Sequence, residues 1–149
     1  MEASKAGRAI AWTLLVLIGV ANIAGYAFDL YSQFWWFDRV LHGSTMLAIT
    51  LWLALIVFGR ALRPQPFHPV LIFLLLVSVG IAIGALWEVA EWAFDQVAPG
   101  NVIKGKYDSI LDIIMDTLGA ALAGLAAIWF LRPLDAPAPG RGARPAGEA

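Results

Sequence analysis

The chain has 149 residues, of which 60% are hydrophobic and only 14% charged, against about 45–50% and about 25% in an ordinary soluble domain. Acidic and basic residues nearly cancel to a net charge of −1, which excludes a broad basic surface for nucleic acid and an acidic tail. Cysteine is absent, so disulfides, thiolate metal ligands and cysteine nucleophiles are excluded too.

An apolar run from Ala9 to Phe28 follows Lys5 and Arg8. A secretory signal begins in the same way, but this run matches the ~20 residues of a full crossing and no small-residue cleavage site precedes Asp29, so it reads as a retained helix over 9–28. Tyr31, Phe34, Trp35 and Trp36 come next and fit an aromatic belt at headgroup level. A second span is expected over 38–59. Pro64, Pro66 and Pro69 punctuate the turn that follows it, and further spans are expected over 69–94 and 110–131. The hydrophobic stretches suffice for one domain, 1–132, an all-α polytopic membrane bundle of four transmembrane helices. The tail 133–149, rich in Pro, Ala and Gly, has too little apolar surface to bury and is expected to be disordered.

Basic residues alternate between the two sides. Lys5, Arg8, Arg60, Arg63, Arg132, Arg141 and Arg144 fall on one side, and Arg39, Lys104 and Lys106 on the other. The positive-inside rule then places both termini, and the tail, in the cytoplasm (N-in/C-in) and turns the aromatic loop outward. Small residues at helical spacing, Gly80 with Gly84, Gly119 with Ala123 and Ala120 with Gly124, let helices approach closely. The spacing does not decide whether these faces join helices of one chain or build a homo-oligomer.

Ionisable residues gather at one depth. At 1.5 Å per residue, His42 lies ~27 Å from Arg60, Asp116 ~24 Å from Arg132 and Glu88 ~30 Å from His68, with Asp112 at ~30 Å, Asp38 at ~33 Å and Glu91 at ~35 Å. Three helices thus deliver carboxylates and an imidazole to the outer boundary of a hydrocarbon core about 30 Å thick. Asp38 and His42 share a face, as do Asp112 and Asp116, while Glu88, Glu91 and Asp95 form one stripe. Pointing these stripes at one another avoids several kcal/mol per charge exposed to lipid. Carboxylates crowded in this way cannot all stay ionised unless something positive balances them: a divalent metal, retained protons, or basic side chains such as Arg39 and Lys104.

Oxygen ligands with one imidazole suit Mg, Mn, Fe or Zn, and the expected ligands are His42, Glu88, Glu91 and Asp112. Glu91 and Asp116 are the candidate catalytic acid and base. Asp38, Arg39, Asp95 and Asp108 complete the polar cluster, although Asp38, Asp95 and Asp108 also read as ordinary loop or cap residues, with Asp108 as a helix start signal. Ser44, Thr45, Ser109 and Thr117 lie close by without any nucleophile motif, and packing or capping accounts for them. Asn22 reads as a cross-helix hydrogen-bonding residue.

At these residues the sequence resembles the YjdF-like inner-membrane proteins of bacteria, through Phe-Asp-Arg-Val-Leu-His at 37–42, Trp-Glu-Val-Ala-Glu-Trp at 87–92 and Tyr-Asp-Ser-Ile-Leu-Asp-Ile-Ile-Met-Asp-Thr-Leu-Gly-Ala at 107–120. The resemblance covers most of residues 22–125. It implies a multi-pass protein of the bacterial inner (plasma) membrane, and it implies that Asp38, Arg39, His42, Glu88, Glu91, Asp112 and Asp116 belong to a shared motif. It brings no activity with it. A more distant likeness is to VanZ-like membrane proteins, in which a glutamine is expected where Glu91 stands and an asparagine where Asp116 stands. These departures make the present site more acidic, and the likeness implies only an envelope role.

Three functions fit the sequence. One is a metal-dependent enzyme at the outer leaflet acting on a lipid or lipid-linked envelope substrate. Another is a proton- or cation-coupled transporter, against which stand the small number of spans and the lack of an ionisable group at the bilayer midplane. The last is a non-catalytic subunit whose acidic patch binds a partner protein or lipid headgroups.

Overall fold

The computed structural model describes residues 4–59, 68–98 and 102–131. The tail expected over 133–149, the prolines at 64 and 66, and the basic residues Arg60, Arg63, Arg132, Arg141 and Arg144 lie outside the described residues. The structure is all-helical: α1 (Lys5–Ala27), the single turn α2 (Leu30–Gln33), α3 (Phe37–Trp52) continuing into a π-helical turn at Leu53–Val57, α4 (Pro69–Val97) and α5 (Lys106–Leu131). Four of these, counting α3 with its π turn, are long and apolar enough to cross a membrane, at 23, 21, 29 and 26 residues.

The helices overrun the charge-free windows at several ends because backbone hydrogen bonding does not stop at the first charge. Ser4 starts α1 by accepting from Gly7 N at 3.0 Å, one turn before the apolar run at Ala9. Pro69 opens α4 at its first position, where its missing N–H costs nothing. At the far end α4 runs on through Asp95 to Val97. The fourth span, expected from 110, begins at Lys106, directly after Gly105, whose φ of +123° suits a residue without a Cβ. The early start brings Asp108 inside the first turn of α5.

α5 is the central helix. It runs alongside α3 in the same direction and packs antiparallel to α4, while α1 lies mainly on α3. Small residues set these distances. A Cβ on Gly119 would fall on the carbonyl oxygen of Gly43 and 3.0 Å from Leu47 N, so α3 and α5 touch backbone to backbone there. On the α4 side a Cβ on Gly80 would fall on the methyl group of Ala120 and 2.8 Å from Thr50 Oγ1, so backbone meets a small side chain there. The small-residue faces therefore close contacts within the chain. Beyond these crossings, Leu51, Leu55, Ile72, Leu76, Ala123 and Ala127 form the apolar core at one end of the bundle. Most of α1 and the outer faces of α4 and α5 present large apolar side chains such as Val16, Ile23, Leu74, Leu86 and Leu122 to the surroundings, as a lipid-facing surface requires.

Candidate functional site

At the opposite end, the first turns of α3 and α5 and the last turns of α4 place their ionisable residues together. Asp38, Arg39 and His42 come from α3, Glu88, Glu91 and Asp95 from α4, and Asp108, Asp112 and Asp116 from α5. Burial is deep at the centre: Asp116 is 1% exposed, Asp112 3%, and His42 and Glu88 8% each. One or two members of each stripe are thus turned away from lipid and into the bundle, as lipid avoidance demands.

His42 organises the centre. Its Nδ1 lies 3.3 Å and 3.4 Å from the two carboxylate oxygens of Asp116. With Nδ1 donating its hydrogen to Asp116, the lone pair of Nε2 points away from that residue. Nε2 stands 4.0 Å from Glu88 Oε1 and 3.9 Å from Asp38 Oδ1, beyond hydrogen-bond reach. Glu88 Oε1 and Asp112 Oδ1 are both buried without a hydrogen-bond partner. One ligand atom each from His42, Glu88 and Asp112 falls within 4.8 Å of the others. Among the described residues these three side chains are thus close enough together for one cation to be shared between them.

Asp116 owes its place to Gly84. A Cβ on Gly84 would come within 2.8 Å of both Asp116 Cβ and Cγ, so the glycine makes room for the carboxylate between α4 and α5. In sequence Gly84 reads as a helix-packing residue alone. Its closeness to Asp116 depends on how the two helices are rotated, which their spacing does not reveal.

The outer part of the cluster is tied down by basic and backbone donors. Arg39 Nη2 pairs with Asp108 Oδ1 at 2.9 Å, and its Nη1 donates to Trp35 O. The guanidinium also sits 5.7 Å from the centroid of the Trp35 ring. Asp108 Oδ2 accepts from Lys104 N at 3.3 Å, consistent with the helix-start role read from sequence. Asp95 accepts from Val102 N and Ile103 N, each at 2.9 Å, and so fastens the approach to α5. Both are cap or loop interactions, and Asp108 is in addition part of the buried cluster. Thr117 Oγ1 donates to Ile113 O at 2.8 Å within its own helix, a packing role.

Glu91 stands apart from the centre. Its Oε1 accepts from Trp87 Nε1 at 2.8 Å, and it belongs to neither of the three-residue groups able to hold a metal among the described residues. It lines instead a cavity of about 330 Å³ that also reaches Asp38, His42, Asn22, Tyr31 and Lys104. Tyr31 donates to Asn22 Oδ1 at 3.2 Å. Burial pushes its phenol up from the ordinary tyrosine range, and the charges of Tyr26, Asp38 and Glu91 push the same way, so it remains a donor. In sequence Tyr31 reads as one more belt aromatic, and only its hydroxyl separated it from the neighbouring Phe34.

The chain matches the family model described as "Predicted membrane protein (DUF2238)" over residues 6–133, and it belongs to that family. An uncharacterized protein of Thermotoga maritima is 32% identical to it over 101 residues, 66% of this chain and 50% of that protein. The chain thus spans about half the length of this relative. No solved structure matches it.

Proposed function

We propose that the chain is a metal-dependent membrane enzyme whose site lies at the membrane boundary and works on the polar part of a lipid or lipid-linked substrate. One observation carries the reading: Glu88 Oε1 and Asp112 Oδ1 are buried and unpartnered, and one carboxylate oxygen of each residue falls within 4.8 Å of a His42 nitrogen and of the other. Three such acceptors repel one another, and a divalent cation bound by His42 Nε2, Glu88 and Asp112 removes the repulsion. When bound, the ion polarises a phosphoryl or carbonyl oxygen and acidifies a water.

The protein's own groups then divide the remaining work. Asp116, nearly fully buried, orients the imidazole through Nδ1 and makes it a better ligand, so it is a positioning residue. Glu91 borders the cavity beside His42 and is the group placed to carry a proton to or from a substrate there. Lys104 lines the same cavity and is suited to an anionic group. The charge asymmetry of the loops supports cytoplasmic termini with this site on the opposite face, and the resemblance to YjdF-like proteins supports a bacterial inner membrane.

Elemental analysis of detergent-purified protein tests the reading. Stoichiometric divalent metal in the wild type, lost in Glu88→Gln and Asp112→Asn with the fold intact by circular dichroism, is the expected result. Metal at background level in the wild type after incubation with Mg, Mn, Fe(II) or Zn would sink it.

A further inference from the structure

Asp112 takes part in two groups of potential ligands. One joins it to His42 and Glu88, and the other joins it to Asp38 and Asp108; in each, one ligand atom per residue falls within 4.8 Å of the others. We propose that the site holds two divalent cations, with Asp112 as the carboxylate shared between them, His42 and Glu88 on the inner ion, and Asp38 and Asp108 on the outer one. The proposal rests on the metal reading above and adds a second ion to it.

Charge supports the count. Asp38, Glu88, Asp108, Asp112 and Asp116 bring five carboxylates to the cluster, and Arg39 is the guanidinium paired into it. Metal binding requires the ligands deprotonated and the imidazole neutral, and in that state four negative charges remain among these groups. Two divalent ions balance them, whereas one leaves an excess of two in a setting where unbalanced charge is costly.

The hydrogen bonds of Asp108 are compatible with ligation. Arg39 occupies one oxygen at 2.9 Å and the Lys104 N–H the other at 3.3 Å, each leaving a lone pair free. Ligating carboxylates are commonly held by such outer partners. Asp38 is 3.9 Å from His42 Nε2 and also lines the cavity, so the outer ion would be the one a substrate meets. Carboxylate-shared ions about 3.5–4 Å apart clamp the attacking and leaving oxygens of a displacement, which suits a phosphate ester or anhydride at the membrane boundary.

The test uses the full chain in detergent, loaded with Mn(II) and freed of excess. Expected are two equivalents of manganese per chain and an exchange-coupled electron paramagnetic resonance spectrum. Asp38→Asn, which leaves the Arg39 pair with Asp108 in place, should retain one equivalent with a single-ion spectrum, and Asp108→Asn should behave alike. One equivalent in the wild type, uncoupled, overturns the second ion while leaving the first reading standing. No manganese in any form of the protein overturns both.

Discussion

At one end of α3, α4 and α5 the side chains of Leu51, Leu55, Ile72, Leu76, Ala123 and Ala127 pack into an apolar core. At the other end the same helices enclose His42, Glu88, Asp112 and Asp116. The apolar end holds itself together by close packing, for which any complementary set of small and branched residues suffices. The acidic end does the opposite. Its buried acceptors oppose one another, and neighbouring backbone and basic donors satisfy only its rim, through Arg39, Lys104, Val102 and Ile103. Buried acceptors without partners cost stability, and on the proposed reading this end is built for binding a cation rather than for folding.

That contrast can be broken at three places. The largest effect is expected at the crossing between the two ends: Gly119→Val would drive a side chain into the Gly43 carbonyl. No folded monomer should survive on size-exclusion in detergent. If this variant stays folded with its metal, the backbone contact is not what fixes the site. Next, Leu76, fully buried, should lose about 2–5 kcal/mol on change to Ala in a denaturant titration. Glu88→Gln should move oppositely when both proteins are metal-free, leaving stability equal or about 1 kcal/mol higher because a buried like charge has gone. Metal at a hundredfold excess over its Kd should then raise the wild type by about 2.7 kcal/mol and leave Glu88→Gln unmoved. A Glu88→Gln protein that falls as far as Leu76→Ala would make the two ends alike and defeat the comparison.

Smaller effects sharpen it. Asp116→Asn keeps the shape but weakens the acceptor on His42 Nδ1, so metal affinity by titration calorimetry should fall about 10–100-fold with little change in melting temperature. A structural role alone would move the melting temperature instead. Tyr31→Phe removes the bond to Asn22 and should cost about 0.5–1.5 kcal/mol, without changing metal stoichiometry. Loss of metal in this variant would extend the site into the cavity wall.

Four membrane-length helices, the prolines and aromatic residues at their ends, and the shared depth of His42, Glu88, Asp112 and Asp116 were legible from residue order alone. Depth along a helix follows from a fixed rise per residue, and hydrophobic length from the thickness that must be crossed. Rotation does not follow from either. Periodicity put Glu88 and Glu91 on one stripe, yet Glu88 points an unpartnered oxygen into the cluster while Glu91 turns toward Trp87 and the cavity. Asp116 read as a catalytic group, but the packing of Gly84 against it sets it behind the imidazole. Asp108 read both as a helix start and as a member of the polar cluster, and the tertiary structure decides that Arg39 of α3 is its partner there. Composition and order determine which groups reach the membrane boundary; which atoms face one another there is decided by helix rotation and crossing, because those depend on contacts between residues distant in sequence.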